Sequence, residues 1–229
     1  MKHKKQIPLT IAIDGPAASG KSSVGKHIAD ILGYSFLDTG VMYRAVTLAA
    51  LEEGVDVRDE KAVGELAGKI CIEVKSKNGD KNTNHAILID SKDVTDQLRS
   101  VGVNNSVSQV SRYRKVRTAM TEQQKLIGSR GEIVMAGRDI GTVVLPQADL
   151  KIYLEASPEE RARRRFKEDK TKGKDGSFSE ILKNVQMRDE IDSTRTIAPL
   201  KPASDAHIIN TNNKNIEQVT AEILQIIKN

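Results

Sequence analysis

The chain has no tryptophan, one cysteine and few aromatic rings, which make up 3% of its 229 residues. The shortage of aromatics removes the stacking platforms on which proteins lay out single-stranded nucleic acid. Cys71 by itself cannot close an internal disulfide, fits a reducing compartment, and reads as a small buried apolar side chain. A strong excess of one charge is also missing, since 36 basic side chains face 31 acidic ones for a net +5. That balance is too mild to argue for a nucleic-acid partner. No apolar run approaches the roughly 20 residues that span a bilayer. The basic start "MKHKKQ" passes within a few residues into a short apolar strand, with no signal-type hydrophobic region. The expectation is a soluble cytoplasmic protein with no membrane and no nucleic-acid partner. A monomer is expected too, because no long apolar stripe is left over.

What is present is an alternation. Short apolar runs at 9–14, 35–38, 133–136, 150–154 and 207–209 are too short for helices and rich enough in β-formers for buried strands. Amphipathic segments lie between them: Val24, Ile28, Ile31 and Leu32 share one helical face, as do Met42, Val46, Ala49 and Ala50. Ile216, Val219, Ile223 and Ile227 repeat the pattern near the end. The pattern predicts an α/β domain with a parallel sheet covered on both faces. Two segments break it. Between about 67 and 97 the period becomes two, with Ile70, Ile72 and Val74 alternating with Cys71, Glu73 and Lys75, a turn signal at 77–80, and "HAILID" after it. That predicts a small inserted antiparallel unit. The second, "SPEERARRRFKEDKTKGKDGSFSE", is too polar for core and reads as a mobile helical flap with a loose tip.

The strand at 9–14 runs into Gly15, Pro16, Ala17, Ala18, Ser19, Gly20, Lys21 and Ser22, with Ser23 behind, and a helix opens there. The spacing satisfies G-x-x-x-x-G-K-[ST] in full. Glycines let backbone N–H groups curl round a phosphate, and the helix N-terminus adds its positive end. Lys21 reaches the β- and γ-phosphates, and the Ser22 hydroxyl is the candidate ligand for Mg²⁺. A nucleoside triphosphate site follows. Asp14, at the mouth of the strand, is either a contact for the metal's water shell or a brace for the loop.

The same crevice collects more residues, because loops at the C-terminal ends of parallel strands converge. "LDTGVMYR" brings Thr39 and Arg44, and "AGRDIGT" brings Gly137, Arg138 and Asp139. "MRDEIDSTR" sets Arg188, Asp192 and Arg195 at i, i+4 and i+7, on one helical face. Arginine suits a bound phosphate because its planar fork makes bidentate, charge-assisted bonds. Two phosphate groups are therefore expected, one on the loop and one opposite. The flap adds Arg161, Arg163, Arg164 and Arg165. As a lid they would close over the γ-phosphate and exclude water, and Lys21, Arg138, Arg161 and Arg165 are the candidate catalytic groups.

Taken together, "IDGPAASGKSS", "LDTGVMYR", "SQVSRYRKVR", "GRDIGTVVLP", "SPEERARRR" and "RDEIDSTRTIAPLKPA" resemble the bacterial cytidylate kinases, within the nucleoside monophosphate kinases, over nearly the whole chain. The resemblance implies a P-loop core with a five-stranded parallel sheet flanked by helices. It also implies an inserted small antiparallel-sheet domain that binds the monophosphate, and a short helical lid. The implied division is core over 1–62, 105–157 and 187–229, insert over 63–104 and lid over 158–186. By position, Arg44 and Arg138 fall where the family binds the acceptor's phosphate. Ser108, Arg117 and Asp139 fall where it reads cytosine, and Arg188 and Asp192 where it contacts the ribose, with Arg195 lining the same site. The substrates implied are ATP with Mg²⁺, and CMP or dCMP. Many relatives carry Asp where this chain has Ala136, so any role of that carboxylate is in doubt. A kinase of another small acceptor (UMP or shikimate) and a GTP-binding switch stay as alternatives, although the chain has no N-K-x-D guanine-reading loop.

Overall fold

The computed structural model describes residues 7–76, 85–171, 173 and 176–228. In chain order its elements are β1 (Thr10–Asp14), α1 (Lys21–Leu32), β2 (Ser35–Asp38), α2 (Gly40–Glu52), α3 (Glu60–Lys69), β3 (Ile72–Ser76), β4 (His85–Ile89) and β5 (Lys92–Asp93). There follow α4 (Val101–Val110), α5 (Arg114–Gly128), β6 (Ile133–Gly137), β7 (Leu150–Glu155), α6 (Pro158–Thr171), α7 (Phe178–Thr194), β8 (His207–Asn210) and α8 (Ile216–Lys228).

The five expected buried strands pair as one parallel sheet in the order β2-β6-β1-β7-β8. Its centre is dry: Ile11, Ala12, Ile13, Val134, Met135 and Leu154 have no exposed surface. Alternate side chains of β6 serve opposite faces, Ile133 and Met135 one core and Val134 and Ala136 the other. Register sets Asp14 beside Gly137 and Asp38 beside Ala136, so the polar ends of three strands finish together. That shared edge is where the site is built.

The expected antiparallel unit is present as β3-β4-β5. The turn signal at 77–80 lies outside the described residues, as does part of the flap's tip. The small sheet does not stand apart: Ile72 and Ile87 share one buried cluster with Met42, Val63, Val103 and Met135. The divisions at 62/63, 104/105 and 186/187 fall inside the continuous helices α3, α4 and α7.

Three details of the sequence reading change. Ile31 is half exposed, because Gly25 and Ala29 draw the buried stripe of α1 round to their side and leave Ile31 at its edge. Gly25 allows this approach, since a Cβ there would lie 2.6 Å from the Phe36 ring. Helix α2 is not amphipathic but buried along its length from Ala45 to Ala50, packed by α4, α3, α5 and β4 and sharing one buried cluster with Leu37 and Met135 of the parallel sheet. Cys71 is exposed: its neighbours Ile70 and Ile72 turn inward, and strand alternation sends the thiol out.

Candidate active site

Residues 15–22 arch from the end of β1 into α1. Gly15 sits at φ +148°, and a Cβ there would meet the Leu154 carbonyl oxygen at 2.1 Å, so only glycine fits. Gly20 caps α1 in the left-handed region without any side-chain cap, which leaves the first N–H groups of the helix for an anion. Lys21 Nζ donates to the Pro16 carbonyl at 2.6 Å and to Ser19 Oγ at 3.4 Å. Burial pushes its pKa well below the usual lysine value, and the Arg138 charge adds to this. A phosphate in the loop would reverse that pressure by supplying negative charge.

The sequence reading passed over Asp38. Ser22 Oγ donates to its Oδ2 at 2.5 Å, and the Gly40 N–H donates to its Oδ1 at 3.0 Å. The available signal was its position: Asp38 closes β2 as Asp14 closes β1. Asp14 itself is a brace, accepting from the backbone N–H groups of Ile140 and Gly141 at 2.8 and 2.7 Å. Burial lifts its pKa to about 6, against the pull of those two bonds. Ala136 faces the α1 core, and its carbonyl takes both the N–H and the hydroxyl of Thr39.

All ten acceptor-side residues expected from the sequence line one cavity: Thr39, Arg44, Ser108, Arg117, Gly137, Arg138, Asp139, Arg188, Asp192 and Arg195. Five of its side chains form an alternating chain of charge. Arg117 Nη2 bonds Asp139 Oδ2 at 2.6 Å, and Arg195 Nη2 bonds the other oxygen at 3.3 Å. Arg195 also pairs with Asp192 at 3.6 Å, and Arg138 Nε bonds Asp192 at 2.8 Å. Burial would raise the Asp192 pKa, but Arg138 and then Arg195 and Arg188 outweigh it and hold it below the usual carboxylate value. Arg117 stacks over the buried Tyr43 ring at 5.4 Å, a support no spacing revealed. Arg44 is held by Asn104 Oδ1 at 2.7 Å and the Leu98 carbonyl at 3.1 Å, both from beyond the small sheet. Counting Asp38, five guanidiniums face three carboxylates around the cavity, which leaves two positive charges for an anion.

A second, larger crevice of about 640 Å³ lies over the loop, within the range of small-ligand sites of roughly 300–1,000 Å³. It is bordered by Ala18, Gly20, Lys21, Ser22 and Ser23, while Gly15, Pro16, Ala17 and Ser19 lie behind this rim. Asp38, Gly40, Arg44 and Arg188 border both spaces, so the two share a wall. The Arg188 side chain has no hydrogen bond to any other described residue, and burial, then neighbouring Arg138, lowers its pKa to about 10. Among the flap arginines, Arg164 and Arg165 border the crevice. Arg165 is half exposed and paired with Glu168 and Asp169. Arg161 is not part of a mobile row: its guanidinium is buried beneath the loop against Asp189 and the Ala17 carbonyl.

Among the described residues no three His, Cys, Asp or Glu side chains converge as a metal cage. The adjacent oxygens of Ser22 and Asp38 are hard donors that fit Mg²⁺, which takes few protein ligands and several from phosphates and water. No helix among the described residues is long and apolar enough to cross a membrane.

A parallel sheet, a phosphate-cradling loop and a facing arginine-lined cavity define a P-loop phosphotransferase. The cytidylate kinase family model matches residues 11–229. The cytidylate kinase of Bacillus pumilus is 48% identical over 94% of this chain and 94% of its own length. That of Bacillus subtilis is 43% identical over 96% of each. A solved structure of a protein from Eubacterium ventriosum, 10% identical, shares the fold with a TM-score of 0.50, covering 96% of this chain and 98% of that one. The chain belongs to the cytidylate kinase family.

Proposed function

We propose that the protein transfers the γ-phosphoryl group of ATP to CMP and dCMP, giving ADP and the cytidine diphosphate. The observation that carries this reading is the cavity itself, in which residues from α2, α4, α5, β6 and α7 meet beside the loop. The Asp139 carboxylate, held from both sides by Arg117 and Arg195, is a rigid acceptor for the amino group of cytosine. Uracil would set a carbonyl oxygen against it, leaving two acceptors face to face. Asp192 already has arginine partners on both oxygens, so a missing ribose 2′-hydroxyl strands no charge, which supports dCMP as a substrate.

In the reaction an acceptor phosphate oxygen attacks the γ-phosphorus in line, and the bond to the β–γ bridging oxygen breaks. No covalent enzyme intermediate forms, and no general base is needed because the acceptor phosphate is already largely ionised. Lys21 and the loop N–H groups hold the donor, Arg44 and Arg138 the acceptor, and Arg188 stands at the shared wall. Ser22 and Asp38 would hold Mg²⁺, which when bound neutralises charge on the phosphates. Residues 63–104 serve as the acceptor domain and 158–186 as the lid, with Arg165 reaching the donor phosphates on closure. Both substrate spaces are complete within one chain, so the reading needs no second copy.

ATP consumption measured with CMP, dCMP, UMP, AMP, shikimate and single-stranded DNA tests the reading. Strong dependence on the cytidine monophosphates is expected. Turnover driven by shikimate or by polymer, without response to CMP, overturns it.

A further inference from the structure

Arg161 is the most enclosed ion-pairing side chain of α6, with 3% of its side-chain surface exposed. Four of its five N–H donors are spent on protein oxygens. Nε donates to the Ala156 carbonyl at 3.0 Å, just past β7. Nη1 donates to the Ala17 carbonyl at 3.2 Å and to Asp189 Oδ1 at 2.8 Å, and Nη2 donates to Asp189 Oδ2. The fork thus joins the phosphate-binding loop to α7, two segments that meet the two substrates separately.

Asp189 is the α7 end of this bridge. It follows Arg188 by one residue and precedes Asp192 by three, so it points about 100° round the helix from Arg188 and about 60° from Asp192, the two helical residues of the face that Arg195 continues at the C-cap. That face lines the acceptor cavity. The bidentate bond therefore sets the roll of α7, and with it the aim of three cavity side chains. The other end of the bridge is a loop residue adjoining Ala18, which holds a left-handed φ of +58°. A phosphate drawing on the loop N–H groups would pull on the Ala17 carbonyl, and the Arg161 fork would carry that pull to α7.

We propose that Asp189 is a positioning residue that couples the donor loop to the acceptor cavity through Arg161. It touches neither substrate. Its effect is on how each substrate's binding depends on the other, and it rests on the reading that CMP occupies the arginine-lined cavity. An ordinary structural ion pair would support the fold without linking the two affinities. Coupling between sites is reciprocal, so one direction suffices to measure it.

The test is calorimetric titration of CMP into the full chain, with and without a non-hydrolysable ATP analogue and Mg²⁺. In the wild type the analogue is expected to tighten CMP binding by about fivefold or more, the usual scale of such coupling. In Asp189→Ala the factor is expected to fall below about two, whatever the change in CMP's separate Kd. Asp189→Asn keeps an oxygen for Arg161 without the charge and is expected to retain an intermediate factor; it decides the matter if the alanine variant does not melt cooperatively. A coupling factor unchanged in a folded variant overturns the proposal. So does a wild type that binds CMP equally with and without the analogue. A wild type that binds no CMP at all overturns the functional reading, and the coupling falls with it.

Discussion

The hydroxyl of Ser22 donates to the Asp38 carboxylate at 2.5 Å, tying the first turn of α1 to the end of β2. Ser22 borders the larger crevice, and Asp38 borders both that crevice and the arginine-lined cavity. Loss of a group that orients a metal ligand typically costs about 10- to 100-fold in metal affinity. Asp38→Ala is therefore expected to raise the Mg²⁺ concentration for half-maximal rate by about tenfold or more. A Mg²⁺ titration at fixed ATP and CMP measures it, and an unmoved midpoint would remove Asp38 from the metal's surroundings.

Arg44 is held by Asn104 and the Leu98 carbonyl, so its guanidinium is already aimed. Bonds from a charged group contribute about 1.5–3 kcal/mol, or roughly 10- to 100-fold in binding. Arg44→Ala should raise the KM for CMP by at least about tenfold, with a smaller change for ATP. Steady-state kinetics with each substrate varied in turn would show it. Equal losses for both substrates would place Arg44 elsewhere.

Asp139 has two buried guanidinium partners, and its own side chain is 6% exposed. Breaking a buried ion pair from one side costs about 3–5 kcal/mol, because the partners keep their charge. Asp139→Asn should lower the melting temperature and cut kcat/KM for CMP sharply. The loss for UMP should be smaller, since an amide N–H can meet the uracil carbonyl. An unchanged CMP-to-UMP preference would refute the base-reading role.

Asp14 ties stability to pH. Its folded pKa, about 6, stands above the ordinary 3.8, so the folded state binds the proton more tightly than the unfolded chain does. The resulting stabilisation is complete below about pH 4 and disappears as pH rises through about 6; two units correspond to about 3 kcal/mol. Asp14→Asn should remove this slope. Urea unfolding of both proteins at pH 4 to 7 compares them, and parallel curves would be the contrary result.

The sequence made the phosphate loop legible because its requirements are local: a backbone that only glycine can follow, then a lysine and a hydroxyl at set positions. The three central strands were legible for a similar reason, since burial on both faces shows as a continuous apolar run, whereas at the sheet edge Ile208 of β8 is 57% exposed. Partnerships were not. Arg117 meets Asp139 across 22 residues, Arg138 meets Asp192 across 54, and Arg161 meets Ala17 across 144. Spacing brought Arg138 to the crevice and the family resemblance brought Arg117, and neither told which carboxylate each would take. The same limit hid Asp38 and its hold on Ser22.

Cys71 and Arg161 mark the boundary between the two kinds of information. Composition favoured a buried thiol and a mobile flap arginine, and the folded chain has the reverse. Exposure depends on which neighbouring surfaces arrive, and those come from distant segments. The sequence by itself determined the α/β architecture and the glycine-framed phosphate loop, both written in local backbone needs and periodicity, while Ser108 and Arg117 were reached only through the family resemblance. The tertiary structure alone decided which charges pair, which arginine is locked and which is free, because burial and pairing arise only when separate segments share one space.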